Sequence, residues 1–421
     1  MKTRAAVLRE MGAQRPFKDS QPLKIEEVEL DAPGHGEILV RVRAAGLCHS
    51  DLSVIDGNRP RPLPMALGHD AAGEVVEVGA GVADLEVGDH VVFSFVPSCG
   101  TCDYCLGGRA ALCAPGAKAN NDGVLLGGDR RLHQGDATIN HHLGVSGFAE
   151  HAVTSRRSAV KIPKDLPFEI AAVFGCAVRT GMGAVVHTAG LRAGQAVLVV
   201  GLGGVGLSAV LGAVAAGARQ VIAADIAEDK LELAKAMGAT HVVNSKDADA
   251  VQQVKDISGG GVDIAAEFAG VGPALEFAFA ATGKGGSTVT AGLPHPDTRL
   301  AVSPVQMVAE ERRFLGSYLG GHVPALDIPE YIALYQAGRL PVDKLLTHRM
   351  KLADINEGFD RQADGDAIRQ VLLVDCWRPR GCGRCACRRR RGRRPSGPAT
   401  PDPARTDSTR TRPRRPTQEV G

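Results

Sequence analysis

Ala196-Val197-Leu198-Val199-Val200 runs without a break into Gly201-Leu202-Gly203-Gly204-Val205-Gly206 and then into an Ala- and Leu-rich stretch. Five apolar residues, three of them Val, read as a buried strand, and the glycine spacing that follows reads as the turn into a helix. In a chain with 52 glycines that spacing alone is weak, and a tight turn would explain it. Context decides. A second apolar run, Gln220–Asp225, ends in a carboxylate 19 residues beyond Gly206. Gly201 permits the turn, Gly203 lets backbone N–H groups approach a pyrophosphate at the helix N-terminus, and Gly206 allows close helix–strand packing. Asp225 can accept both ribose hydroxyls and would repel a 2′-phosphate, so the expected cofactor is NAD rather than NADP.

Outward from this motif the same grammar continues. Apolar strands at Ala196–Val200, Gln220–Asp225, His241–Val243, Asp263–Phe268, Ser287–Ala291 and Phe314–Ser317 alternate with Ala-rich helices. Six such strands predict an α/β domain over residues 178–320, built on a doubly wound parallel sheet. Residues 1–177 are written differently, as short β-rich runs such as Ile38–Arg43 and Gly73–Val78 broken by Gly and Pro, which predicts an irregular β domain. Residues 321–375 contain a helical stretch around Pro329–Leu340 and end in the apolar strand Val371–Val374, which is expected to return to the first domain.

Beyond that point the text changes again. Residues 376–421 hold fourteen Arg, no Lys and three acids, a net +11, so that residues 1–375 carry −9 of the total of +2. The body is therefore acidic, and the basic balance says nothing about nucleic-acid binding by the folded part. Rich in Arg, Pro and Gly, without apolar periodicity, the segment is expected to be disordered. Cys382-Gly383-Arg384-Cys385-Ala386-Cys387 in it could serve as a metal or nucleic-acid appendage. The favoured reading is an aberrant extension, of the kind produced when a GC-rich gene is read in the wrong frame.

At 421 residues, with 44% hydrophobic and 23% charged residues, the composition is globular and excludes a small disulfide scaffold. No apolar stretch is long enough to cross a bilayer, and the N-terminus has charges where a signal peptide needs an apolar core, so a cytoplasmic location is expected.

Cys99, Cys102, Cys105 and Cys113 are spaced C-x2-C-x2-C-x7-C. Four thiolates in fifteen residues suit a closed tetrahedral zinc site that pins a loop. An iron–sulfur cluster is the rival, but no second cysteine group or trailing Cys-Pro accompanies the set. Cys48, His69 and Cys176 stand in the segments Cys48-His49-Ser50-Asp51, Gly68-His69-Asp70 and Gly175-Cys176. Each alone would be a core or surface residue. Together, two Cys and one His form a three-ligand zinc set with one open position, the catalytic form of coordination. An open zinc beside a nicotinamide points to alcohol oxidation.

Gly46–Asp51, Gly68–Asp70, the four-cysteine lobe, Gly175-Cys176, Gly201–Gly206 and Ile355–Asp360 resemble the zinc-dependent medium-chain alcohol dehydrogenases over most of the chain, to about Val374. The resemblance implies a Rossmann domain, a GroES-like catalytic domain, NAD, and one catalytic and one structural zinc. The long stretch between Cys113 and Gly147 is similar to the dimeric liver-type and class III enzymes, which implies a homodimer. By position, Ser50 would hydrogen-bond the alkoxide and begin proton relay, and Asp51 would orient the His69 imidazole. Thr180 and Val205 would press on the nicotinamide, and Lys230 would assist Asp225 at the adenosine ribose. Arg369 matches an arginine that grips the pyrophosphate, and Phe95 would line the alcohol pocket.

Three positions depart from that pattern. Ser53 replaces a relay histidine, which sends the proton out through water. His49 stands where liver enzymes often have a pyrophosphate-binding Arg. Asp70 replaces a Glu beside the zinc-ligand histidine. The alternative activity within the class is glutathione-dependent formaldehyde dehydrogenase, that is, oxidation of S-(hydroxymethyl)glutathione. There an arginine follows the lobe, whereas this chain has Pro115-Gly116-Ala117-Lys118, so Lys118 would have to substitute. A third reading is a non-catalytic nucleic-acid-binding protein on a dehydrogenase fold, against which Cys48, Ser50, His69 and Cys176 all speak. Arg59 and Arg61 could lie at the pocket mouth, with the plain surface as the default.

Overall fold

The computed structural model describes residues 1–374. The readings made for 376–421 fall outside the described residues.

Six parallel strands form one sheet, in the order His241–Asn244, Gln220–Asp225, Ala196–Val200, Val262–Glu267, Thr282–Thr290 and Arg313–Gly316. This is a doubly wound order with the chain reversing at Ala196–Val200. That strand is fully buried, with Val197, Leu198 and Val199 at zero exposure, because helices cover both faces of the sheet. Register aligns Val200 with Ala224 on one side and Glu267 on the other, so Gly201 and Asp225 leave the same edge side by side. The fifth strand starts five residues before its expected first residue, Ser287, because Thr282–Gly286 joins it across a register shift opposite Val262 and Ile264. Three glycines in those five residues hid it, since strands are depleted in glycine.

The remaining sheets belong to the chain's two ends. Lys2–Leu8, Leu23–Leu30, Leu132–Gln134, Ala137–His141 and Met65–Ala66 close a small barrel. A mixed sheet is organised on Glu37–Gly46, which pairs antiparallel with Asp70–Val78, His151–Ser155 and Arg369–Leu373. The returning strand sets Val371 opposite Gly46, which carries Arg369 to the residues just after that strand. Its partner on the other side is Leu346–Lys351, in parallel. The helix read around Pro329–Leu340 runs instead over Pro324–Gln336. Pro324 opens it at the first helical turn, where a missing N–H is harmless, and Gly338 at φ 71° follows its end.

Candidate active site

Cys48 lies two residues beyond the strand Glu37–Gly46 and stands at the N-cap of the short helix His49–Ile55. Its backbone N–H donates to Asp51 Oδ2 at 3.2 Å, so the Cys-x-x-Asp spacing turns the chain locally and buries the carboxylate. His69 follows Gly68, whose φ of 96° favours glycine and whose missing Cβ leaves room for the backbone of Phe148. Cys176 immediately precedes the helix Ala177–Gly183, and Thr180 N–H donates back to the Cys176 carbonyl at 2.8 Å.

These elements bring the Cys48 and Cys176 sulfurs and a His69 ring nitrogen within 4.8 Å of one another, all buried. The two sulfurs are 3.9 Å apart. Two tetrahedral Zn–S bonds of about 2.3 Å would place them about 3.8 Å apart, so the donor set fits zinc without rearrangement. Cys176 donating to Cys48, together with the adjacent His69, holds the Cys48 thiol well below its ordinary range against burial. Cys176 is pushed well above that range by the same contact and by burial. Burial pulls His69 down, but Asp51 and Cys48 together raise it well above the usual imidazole value.

His69 Nδ1 lies 3.1 Å from Asp51 Oδ1, which fixes the ring and leaves Nε2 facing the sulfurs. Ser50 Oγ is 3.2 Å from both Cys48 Sγ and His69 Nε2. Phe95 stands edge-on to His69 with ring centroids 4.9 Å apart, and Tyr318 stands edge-on to Phe95 at 6.2 Å. Ser53, at the relay position, carries no base, and its Oγ donates to the His49 carbonyl at 3.0 Å. His49 itself is exposed at the start of its helix.

Asp70 and Arg369 close the inner side. Arg369 donates to Asp70 Oδ2 at 3.1 Å and to the Leu47 carbonyl at 2.9 Å, with both side chains buried. Burial raises the Asp70 carboxyl to about 7 against the opposing charge of Arg369. Arg369 Nε has no partner among the described residues, and the Arg369 side chain fills the space beside Gly204. An unpaired buried donor at the start of the twelve-residue helix Gly204–Ala215 suits a pyrophosphate oxygen.

The rest of the dinucleotide set is consistent in position. Gly206 has no room for a side chain because the Gly201 carbonyl lies against it, while Gly203 is exposed with open space around it. Gly181 packs on the Val205 backbone, which puts Thr180 and Val205 on adjoining turns. Asp225 Oδ2 accepts from Leu202 N–H at 2.6 Å, and Oδ1 accepts from Ile226 and Ala227 at 2.8 and 3.1 Å. Lys230 is half-buried on the next helix, Glu228–Ala236, and makes no ion pair with Asp225 among the described residues.

In the lobe, all four cysteine sulfurs of Cys99, Cys102, Cys105 and Cys113 lie within 4.8 Å of one another. Backbone N–H groups point at two of them: Thr101 and Cys102 at Cys99, Cys99 and Gly116 at Cys113. Burial opposes it, but the Thr101 backbone and hydroxyl donors bring Cys99 down to about 6. A closed set of four sulfurs with such donors fits a structural zinc.

Two features were not foreseen. His142, buried, sets Nδ1 3.2 Å from the Asp51 oxygen that serves His69, and its ring stands edge-on to His69 at 5.6 Å. Arg179, fully buried one residue before Thr180, donates to the His322 carbonyl at 2.9 Å and lies 3.5 Å from Asp327, tying the Cys176 helix to the returning segment.

Comparison with known proteins places the chain in a family. A family described as "Alcohol dehydrogenase GroES-like domain" matches residues 34–164, and one described as "Zinc-binding dehydrogenase" matches 204–337. The NDMA-dependent alcohol dehydrogenase of Amycolatopsis methanolica is 40% identical over 89% of this chain and 99% of its own. An S-(hydroxymethyl)glutathione dehydrogenase of Paracoccus denitrificans is 35% identical over 89% of this chain and 100% of its own. The crystal structure of benzyl alcohol dehydrogenase from Acinetobacter calcoaceticus superposes with a TM-score of 0.83 at 34% identity, covering 89% of this chain and 100% of that one. The chain belongs to the zinc-dependent medium-chain alcohol dehydrogenase family, and it is an oxidoreductase.

Proposed function

We propose that the protein oxidises an alcohol to an aldehyde or ketone, reversibly, with NAD as hydride acceptor. Cys48, His69 and Cys176 would hold a catalytic zinc, and Cys99, Cys102, Cys105 and Cys113 a structural one. The observation that carries the reading is the convergence of three buried zinc donors with Ser50 Oγ at 3.2 Å from two of them. Bound there, zinc supplies a Lewis acid that acidifies an alcohol, and NAD supplies the acceptor for its hydride.

The chain's own residues do the rest. Asp51 holds the His69 ring through Nδ1 so that Nε2 keeps its direction. Ser50 Oγ is placed to accept the alcohol proton and pass its own outward, and without a base at Ser53 the next acceptor is water. Phe95 forms one wall and excludes water from the reacting carbon. Asp225 favours NAD by its charge, while the Gly201–Gly206 turn and Arg369 receive the pyrophosphate. A homodimer belongs to the same reading, supported by the edge strand Arg313–Gly316 and by Val305 and Val308, at 77% and 79% exposure, close to it in sequence.

A substrate panel tests this: ethanol, longer primary alcohols, benzyl alcohol, and formaldehyde with and without glutathione, followed by NADH absorbance, with NDMA as a second acceptor. Alcohol-dependent NADH formation that Cys48→Ala abolishes, with NADH binding retained, is the expected result. Absence of turnover with every alcohol and both acceptors overturns it. Activity on formaldehyde only with glutathione would favour the second reading, which the Paracoccus denitrificans relative supports. Against it, Lys118 is exposed and engaged with Asp122 one turn away.

A further inference from the structure

Away from the active site and the cysteine lobe, one further group of donors converges: His187, His322 and Asp327, whose ring nitrogens and carboxylate oxygen lie within 4.8 Å of one another. His187 stands in Ala184–Thr188, where the helix begun at Ala177 widens into a π turn, Ala189 N–H donating five residues back to the Ala184 carbonyl at 3.0 Å. Such turns are frequent at functional sites. His322 follows Gly320 and Gly321, both in the left-handed region at φ 76° and 75°. A Cβ on Gly320 would strike the Arg179 carbonyl and one on Gly321 the Thr188 hydroxyl, so the two glycines let this loop press on the helix. The two imidazoles consequently stack, with centroids 4.5 Å apart and planes 22° from parallel. Asp327 is buried in the first turn of Pro324–Gln336, and both rings face one of its oxygens. His322 Nδ1 is 2.5 Å and His187 Nε2 3.4 Å from Oδ1.

A plain His–Asp hydrogen bond accounts for His322 alone. It leaves the buried Nε2 of His187 without a hydrogen-bond partner among the described residues, which is costly. One cation bonded to all three atoms satisfies both rings and the carboxylate together. Tetrahedral bonds of about 2.0–2.1 Å set such donors about 3.4 Å apart. The His187–Asp327 spacing already matches, and His322, partly exposed on its loop, would back off by about 0.9 Å. Two imidazoles and one carboxylate select a first-row transition metal over magnesium or calcium, which prefer oxygen donors. Both histidines line a cavity of about 880 Å³ together with Thr188, Ser317 and Tyr318, so a bound ion would keep open coordination positions. Arg179 lies 3.5 Å from Asp327 Oδ2, and its charge opposes a cation. The affinity is therefore expected to fall below that of the cysteine sets.

We propose that His187, His322 and Asp327 form a third metal site, which takes a divalent first-row transition cation reversibly and shares no residue with the two cysteine sets. It loads when such an ion is supplied and empties on dialysis, leaving the two zinc ions of the isolated chain. Its bonds would join the helix that begins after Cys176 to the loop Tyr318–His322, so loading braces one against the other.

The test titrates the full chain, its cysteine sets filled with zinc, with cobalt(II). Uptake of one cobalt per chain is expected, with ligand-field bands in the visible, no thiolate-to-cobalt charge transfer in the near ultraviolet, and a raised melting temperature. The variant His187→Gln/His322→Gln should lose that uptake and the thermal shift while keeping both zinc ions, and each single variant should bind cobalt at least about tenfold more weakly. No cobalt uptake overturns the site, as does uptake unchanged in the double variant. Uptake that shows only thiolate charge transfer, as Cys382, Cys385 and Cys387 would give, overturns it as well. Should the double variant fail to fold, His322→Gln alone decides at the more exposed ring: weakened cobalt binding supports the site, and unchanged binding overturns it.

Discussion

His142 and His69 approach the same oxygen of Asp51, at 3.2 and 3.1 Å, from two different segments of the chain. A fully buried carboxylate is thereby balanced by two imidazoles, and against the burial that opposes it the pair keeps Asp51 below the ordinary carboxylate range. The carboxylate that orients His69 thus also faces a residue 73 positions further on.

Replacing His142 with Phe keeps a ring in the space and removes the contact to Asp51. Loosening a group that orients a metal ligand typically costs 10- to 100-fold in metal affinity, and about tenfold is expected here. Competition with a chromogenic chelator measures it. Unaltered zinc retention would reduce His142 to packing.

Metal content separates the two cysteine sets. The native chain should hold two zinc ions, and Cys102→Ala and Cys48→Ala one each, because their sulfurs belong to clusters of four and three donors. Cys48→Ala should also lose turnover while binding NADH, whereas Cys102→Ala should lower the melting temperature. Two ions remaining in either variant would break the assignment.

At the ribose end, Asp225→Ser should raise the NADP-to-NAD ratio of kcat/KM roughly tenfold by removing the charge that opposes a 2′-phosphate. Affinity for NAD should fall too, since three backbone N–H groups lose their acceptor. A cofactor ratio that does not move refutes the role of Asp225.

Much of this was legible before any coordinates, and the reason differs by region. Parallel strands buried on both faces must be apolar along their length, so Ala196–Val200 and Gln220–Asp225 declare themselves. Cys48, His69 and Cys176 have no common periodicity. Only their immediate neighbours suggested that residues 128 positions apart would meet. His142 carried almost no signal: the pair His141-His142 lies in a stretch of mixed polarity, and only the folded chain turns one ring toward Asp51 and the other away. Thr282–Gly286 failed for a local reason, because glycines conceal a strand that tertiary pairing nevertheless forms.

The ring turned away predicts acid sensitivity. His141 is fully buried, accepts from Arg131 N–H at 3.0 Å, and is pushed down to about 3 by burial and by Arg130 and Arg131. Its folded pKa is below its unfolded value, so the unfolded chain binds the extra proton first as pH falls. The neutral ring's contribution is therefore complete above about pH 6.5 and declines toward pH 3, by about 1.4 kcal/mol per pH unit. Urea denaturation between pH 7 and about 4.5 should show His141→Gln losing less stability than the native chain across that window. Parallel curves would exclude His141 as the titrating group.

Ser53→His tests proton release. A base one turn beyond Ser50 should accelerate alcohol oxidation below neutral pH by up to about 10²-fold, with little change in alkaline solution. Stopped-flow rates across pH measure it, and an unchanged profile would show that water already carries the proton freely.

The clasp between Arg369 and Asp70 joins residues 299 positions apart. Chains emerge from the ribosome N-terminus first, so the barrel, the lobe and all seven thiol and imidazole donors are synthesised before the strand that brings Arg369 home. Until then Asp70 lacks the Arg369 guanidinium, and closing so long a loop is entropically slow. The clasp is accordingly one of the last contacts the chain can make, and a nascent chain halted before Arg369 would carry all seven donors without it.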